Sequence, residues 1–152
     1  MMEPLERPHP FDASSLAIRR LTVDDADSVF PVLRQLRTLQ SVEELRERLA
    51  RLEATVAYEC HGAFHGAALL GILGLRAVET FARGRHLHID DLVVDAPMRR
   101  RGIGRALLDF AEDRGRADGR MSLFLDSRPD AVAFYLGRGF SLHTSPLMRK
   151  PL

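Results

Sequence analysis

One segment limits what this chain can fold into more than any other: residues 87–110, LHIDDLVVDAPMRRRGIGRALLDF. Leu87, Ile89, Leu92, Val93 and Val94 give its first part the near-continuous apolar character of a strand covered on both faces. Pro97 ends that strand, because proline has no N–H to give to a ladder. From Ile103 the apolar spacing turns helical, with Ile103, Ala106, Leu107, Phe110 and Ala111 on one side and Arg105, Asp109, Glu112 and Asp113 on the other. The loop Arg99-Arg100-Arg101-Gly102-Ile103-Gly104 therefore opens a helix that packs on a sheet.

A helix start exposes unpaired N–H groups and carries partial positive charge, so it suits phosphate. Gly102 and Gly104 remove side chains that would hold a phosphate off the backbone, and three arginines add forked donors. The competing reading is a glycine-containing loop with an exposed basic patch. The dinucleotide fingerprint needs Gly or Ala where Leu107 stands, and the nucleotide P-loop needs Lys followed by Ser or Thr where Arg105-Ala106 stand. What remains is R-x-x-G-x-G, Arg99 to Gly104, directly after a strand ending Leu-Val-Val. A second motif, A-x-x-F-Y-x-x-x-G-F, runs from Ala131 through Phe134 and Tyr135 to Gly139 and Phe140. In these two motifs, in this order, the chain resembles the GNAT superfamily of acetyl-CoA-dependent N-acetyltransferases.

The rest of the chain reads in the same sense. Residues 16–21 suggest a strand, Thr22 a helix cap, and Val29, Val32, Leu33 and Leu36 a helix containing Pro31. Ser41 with Glu44 is a capping-box signature for a helix over 42–52. Residues 55–59 read as a strand, 61–66 as a turn, and 67–78 as a longer strand whose Gly71 and Gly74 need a bulge or a close approach to justify them. Gly115 and Gly119 bracket the end of the phosphate-loop helix, 121–125 is a strand, and Pro129 opens a last helix. Residues 140–143 and 146–149 read as short closing strands. The resemblance spans residue 16 to the C-terminus and implies a single-domain α+β GNAT-like fold, with a mixed central sheet of six or seven strands and about four helices. Residues 1–14, with three prolines, read as a mobile tail, and 15–152 as the domain.

Several residues are candidates for chemistry. Asp90 and Asp91 are out of place in an apolar strand, since a buried carboxylate needs partners. Alternation groups Asp90 with His88, Leu92 and Val94, and Asp91 with Leu87, Ile89 and Val93, unless a bulge shifts them. His88, and less so His86, are alternative bases because imidazole titrates near neutrality. The resemblance implies a carboxylate of this strand as general base or amine anchor, and Tyr135 as the proton donor to the departing thiolate. It further implies that acetyl-CoA lies in a V beside the core strand. Its pantetheine arm would pair with Leu92, Val93 and Val94, and its pyrophosphate would rest on the loop of Arg99, Arg100, Arg101, Gly102, Ile103, Gly104 and Arg105. Arg128 stands where many family members carry Asn, and the resemblance places it in the cofactor-binding set. Cys60, His61 and His65 lack a second ligand pair, and no metal is expected.

Composition narrows the classes. A length of 152 residues suits one domain, and a net charge of +1 without interleaved aromatics argues against a nucleic-acid binder using Arg99 to Arg101. The most apolar run, 67–75, is too short to span a membrane, and the single Cys60 gives no sign of an oxidising compartment, so a cytoplasmic protein is expected. The expected activity is transfer of an acetyl group from acetyl-CoA to a primary amine of an unidentified acceptor, by direct attack in a ternary complex. The partners are then acetyl-CoA and that amine, with a homodimer possible. The alternative is a catalytically silent CoA-binding sensor or regulatory module.

Overall fold

The computed structural model describes residues 11–55 and 57–152. Five strands form one sheet in the order β1 (Ala17–Arg20), β2 (Tyr58–His65), β3 (Ala68–Thr80), β4 (Gly84–Val94) and β5 (Ser122–Leu125). The first four pair antiparallel and β5 joins β4 in parallel, so the sheet is mixed. Four α-helices flank it: α1 (Ala26–Leu33), α2 (Val42–Thr55), α3 (Ile103–Ala117) and α4 (Val132–Leu136).

Strand alternation sends the apolar residues of the sheet to two cores. On one face Ile72, Val93, Tyr58 and Cys60 pack with Val29 and Val32 of α1 and Leu45 and Leu49 of α2. On the other, Leu73, Leu75, Leu87 and Ile89 pack with Ile103, Leu107 and Ala111 of the stripe read from the sequence of α3, joined by Leu108, which that stripe did not include. Gly71 and Gly74 find the uses their place in a strand requires. A Cβ at Gly71 would lie 3.0 Å from both Ile103 and Leu107, so the glycine lets α3 approach the sheet. At Gly74 the register of β3 against β4 shifts: Gly74 pairs with Asp91, Leu75 with Ile89, and Asp90 is the extra residue of a bulge.

That bulge overturns the simple alternation along β4. Leu87, Ile89, Leu92 and Val94 all belong to the α3-side core, while Asp91 pairs across to Gly74, beside Tyr58 on the α1–α2 side. Asp91 therefore does not share a face with Leu87 and Ile89, and Leu92 and Val94 do not share one with His88. The inserted residue reverses the parity of everything after it.

Other expectations are corrected as well. Among the described residues the sheet has five strands, not six or seven, because residues 140–143 and 146–149 form no ladder. Ser145 N–H turns back onto the His143 ring at 3.2 Å and Pro146 has no N–H to donate, so this exposed stretch passes β5 unpaired. Residues 61–66 are not a turn. β2 continues to His65, and the hairpin turns at Gly66, whose φ is +58°. Gly62 lies in the strand because a Cβ there would meet Leu69 at 2.6 Å and Leu21 at 2.9 Å. α2 runs on to Thr55, past the expected 52, and β2 starts only at Tyr58. Gly115 does not end α3 but is buried within it against Leu87 and Leu123, whereas Gly119, with φ +64°, follows its end. The tail expected over 1–14 lies outside the described residues up to residue 10. Beyond that point Phe11 packs on the α3-side core, and Asp12 caps a 3-10 turn over Ala13–Ser15.

The helix starts follow local rules. Thr22 and Asp25 form a reciprocal capping box on a 3-10 turn (Val23–Asp25) that leads into α1. At α2, Ser41 Oγ accepts from Glu44 N–H at 3.1 Å, but the Glu44 carboxylate reaches Gln40 N–H, at 2.7 Å, rather than Ser41's own. Among the described residues no helix is long and apolar enough to cross a membrane.

Candidate active site

Two features of the β4–α3 unit make a place for an anionic, extended ligand. The first is the start of α3. Its first intrahelical bond runs from Ala106 N–H to Gly102 O at 3.0 Å, so the N–H groups of Ile103, Gly104 and Arg105 have no partner inside the helix. Gly102 stands at the N-cap with φ +85°, no side chain caps the helix, and its first turn holds no acidic residue. Arg100, with φ +63°, is the one described non-glycine residue in the left-handed region, a conformation costing about 1–2 kcal/mol that helps turn these amides outward. Arg99, Arg100, Arg101 and Arg105 are exposed around them. Gln35 anchors the turn before this loop: its side chain donates to Asp95 at 2.7 Å and accepts from Ala96 N–H at 2.9 Å.

The second feature is the free side of β4. β5 pairs with β4 only from His86 to Ile89 and stops at Leu125, opposite Ile89. Asp95 N–H donates to Leu70 O of β3 at 2.8 Å, and the two-residue repeat turns Val93 the same way. The main-chain groups of Leu92 and Val94 therefore point into the gap beyond the end of β5. Of these, Val94 O accepts from Arg99 Nε at 3.2 Å.

On the α1–α2 face the bulge collects the polar candidates. Asp90 accepts two hydrogen bonds from Arg76, each 2.9 Å, and lies 2.9 Å from His88 Nδ1. Burial opposes ionisation of Asp90, but the bonds from His88 and Arg76 outweigh it and hold its carboxyl down to about 2. An ionised carboxylate only accepts, so the neutral form of the His88 ring carries its proton on Nδ1, with its lone pair on Nε2. Nε2 is 3.6 Å from Asp126 Oδ2, beyond the end of β5. Asp91 takes a bond of 2.6 Å from Arg37 and one of 2.8 Å from the Tyr58 hydroxyl. Burial first, then the charges nearby, pushes the Tyr58 phenol far up, so it stays a neutral donor. These groups border a cavity of about 680 Å³ between the sheet and the α1–α2 segment, into which Arg48 also reaches. It adjoins a second cavity of about 570 Å³ along β5, and the two share Arg76, His88, Asp90 and Asp126. His86, the lesser base candidate, is buried with its Nδ1 3.0 Å from Gly84 O.

Tyr135 stands apart from this cluster. It packs edge-on against Phe134 and Phe140 on the α3 side and borders a third cavity, of about 630 Å³, with Leu123 and Leu125 of β5. Burial raises its phenol, and its hydroxyl makes no hydrogen bond among the described residues. Phe124, Leu125 and His143 line both this cavity and the second one, so the end of β5 is the partition between Tyr135 and the β4 cluster. Arg128 is exposed at the start of the 3-10 turn before α4, 3.5 Å from Asp130. Cys60 is buried and its thiol is pushed up to about 12, so it stays protonated.

Arg37, Tyr58, Arg76 and Asp126 were not singled out from the sequence. Arg37 lies 54 residues from the carboxylate it holds, and no local pattern predicts such a pair. Arg76 alone left a trace, as a cation interrupting an apolar strand in the way that Asp90 and Asp91 interrupt theirs.

Known proteins resemble this chain over most of its length. Residues 28–151 match the family model described as an acetyltransferase (GNAT) domain. An uncharacterized N-acetyltransferase of Bacillus subtilis, YhdJ, is 34% identical over 127 residues, which cover 81% of this chain and 89% of that protein. Glucosamine 6-phosphate N-acetyltransferase of Trypanosoma brucei brucei is 30% identical over 107 residues, 69% of each chain. A crystal structure of a Trypanosoma brucei acetyltransferase superposes with a TM-score of 0.75 at 28% identity, covering 90% of this chain and 99% of that one.

Proposed function

The chain belongs to the acetyltransferase (GNAT) family and is an acyltransferase, and from that premise we propose that it moves an acetyl group from acetyl-CoA to a primary amine by direct attack in a ternary complex. The observation that carries the reading is the uncapped α3 start, ringed by arginines and placed directly beside main chain of β4 that β5 leaves unpaired. These residues fit the donor in kind. The amides of Ile103, Gly104 and Arg105, with Arg99 to Arg101, suit a pyrophosphate, and Leu92 and Val94 offer strand-like pairing to an amide-bearing arm. Acetyl-CoA supplies an activated thioester carbonyl.

Around that carbonyl the protein has two tasks. A backbone N–H on the free side of β4 stabilises the oxyanion, an effect worth ~3 kcal/mol in other acyl-transfer enzymes. The Tyr135 hydroxyl, kept neutral by burial and unclaimed by a protein acceptor, is the donor for the leaving thiolate. The acceptor amine enters through the cavity between β4 and the α1–α2 segment, where the polar side chains lie.

Calorimetric titration with acetyl-CoA, using NAD and ATP as controls, tests the donor site. Selective binding of acetyl-CoA is expected, and its absence overturns the reading. Release of free CoA is then followed with primary amines. Glucosamine 6-phosphate comes first, because the trypanosomal relative is named for it.

A further inference from the structure

We propose that His88 is the base that deprotonates the acceptor amine, that Asp90 is its positioning residue, and that Asp126 holds the incoming ammonium beside it. This assignment rests on the acetyl-transfer reading above and settles a choice that the sequence left open among Asp90, Asp91 and His88.

Both carboxylates of β4 are spoken for. Asp90 is gripped at both oxygens by Arg76 and again by His88, and Asp91 by Arg37 and Tyr58. A carboxylate held ionised near pH 2 has little appetite for a proton from an alkylammonium whose pKa is ~10. His88 is placed differently. Its ring is mostly buried at the wall shared by the two adjoining cavities, its Nδ1–H is tied to Asp90, and its Nε2 lone pair is left for a third party. Fixing the tautomer through Nδ1 is what makes a histidine a directed base at Nε2. Asp90 shares the strand face of His88, two positions earlier, and meets its ring while Arg76 holds it from β3.

Asp126 completes the arrangement. It is 3.6 Å from Nε2 and more than half exposed, and although Arg76 is near enough to attract it, no arginine hydrogen-bonds to it among the described residues, unlike the two β4 carboxylates. An ammonium placed between Asp126 and Nε2 meets an anion and a proton acceptor together. The other charged groups about His88 are largely neutralised in pairs: Arg76 with Asp90, and Arg37 with Asp91. Arg48 of α2 lies further round the same cavity, 3.4 Å from Glu44. Arg83, His86 and His143 line the adjoining one.

The step balances as follows. Nε2 takes one proton from the ammonium, which frees the nitrogen lone pair. That pair forms the N–C bond to the acetyl carbon while the C–S pair leaves with sulfur. Tyr135 gives its proton to the thiolate and recovers the second nitrogen proton through solvent, and the proton on His88 passes to bulk water.

Two measurements test this. The first needs no acceptor: nitrogen chemical shifts of the His88 ring across its titration, in the wild-type protein with acetyl-CoA added. The neutral ring is expected to carry its proton on Nδ1, and a neutral Nε2–H form overturns the proposal. The second is the pH dependence of kcat/KM for CoA release with glucosamine 6-phosphate, or with another primary amine that gives turnover. His88→Gln is expected to lower kcat by ~10²-fold or more and abolish the acidic limb, with acetyl-CoA affinity unchanged. Asp90→Asn is expected to move that limb to lower pH, because the imidazolium loses its counter-charge. Asp126→Asn is expected to raise KM for the amine by ~10-fold with the limb in place. A purely structural Asp90 would lower the rate at every pH without moving the limb, which refutes the dyad. Absence of acetyl-CoA binding by the wild type would instead overturn the acetyl-transfer reading, and the ring titration would still decide the tautomer.

Discussion

Gly74 shows how far one residue can reach in this protein. A Cβ on it would collide with the Tyr58 hydroxyl and come within 2.8 Å of Asp91 Oδ2, so the hydrogen bond between those two groups exists because position 74 has no side chain. Gly74→Ala should cost about 1–3 kcal/mol, since a packed site must shift to admit it. Denaturant unfolding of the single variants and of Gly74→Ala with Tyr58→Phe checks this. Removing the hydroxyl frees space, so the double variant should be more stable than the sum of the single losses. Strictly additive losses would mean the collision is not with Tyr58. Tyr135 makes the corresponding prediction for chemistry. Tyr135→Phe keeps the ring contacts to Phe134 and Phe140 and removes only the donor, so turnover should fall ~10²-fold with acetyl-CoA affinity retained. Unchanged turnover would reduce Tyr135 to packing.

At the scale of an element, β4 and α3 divide the work between strand and helix. The bulge at Asp90 brings Asp91 to the α1–α2 face already shared by His88 and Asp90, while Ile89 and Leu92 on either side stay in the α3-side core. The start of α3 keeps its first amides exposed because Gly71 lets Ile103 and Leu107 seat closely on β3 while the loop ahead carries no cap. Gly104 lies within this first turn, and a Cβ there would be in ordinary contact with Phe134, 3.4 Å away, and with Val94, 3.7 Å away. Gly104→Val should therefore leave the fold intact and weaken acetyl-CoA binding by ~10-fold, about 1.4 kcal/mol, in a calorimetric titration. Undiminished affinity would place the phosphates elsewhere.

The whole molecule should lose stability on the acid side in two stages. His61 is buried beneath α3 against Phe110, and its Nδ1 has no hydrogen-bond partner among the described residues. Burial holds its pKa below the ordinary 6.5. As pH falls below 6.5 the unfolded chain takes up a proton that the folded protein refuses, so stability declines from there downward. Asp90 acts lower. Its carboxyl sits at about 2 against an ordinary 3.8, so its contribution is complete above 3.8 and is lost as pH falls towards 2. That contribution is roughly 2 kcal/mol at most. Urea unfolding followed against pH should show both slopes, and His61→Phe should flatten the upper one alone. An unchanged upper slope would assign it to another group.

The order of helices and strands as far as α4, the amphipathic character of α3 and the glycine-arginine loop at its start were legible in the chain, because each rests on neighbours a few residues apart. So was the oddity of Asp90 and Asp91, since a carboxylate in an apolar strand announces a cost that something must offset. Their partners were not legible. Arg76, Tyr58 and Arg37 reach these carboxylates across 14, 33 and 54 residues, and only the packing of β3, β2 and the segment after α1 decides which arginine meets which aspartate. The closing strands over 140–149 failed for a related reason, because short-range β character becomes a strand only where a neighbouring edge accepts it. The family and most of the elements could be read from the chain, and so could the placing of the glycine-arginine loop at the start of α3. Only the assembled sheet brings Asp91 to the face that Asp90 and His88 share and sets Arg76 against Asp90, because a bulge reverses the parity of a strand and its effect appears only once the neighbouring strand is in register.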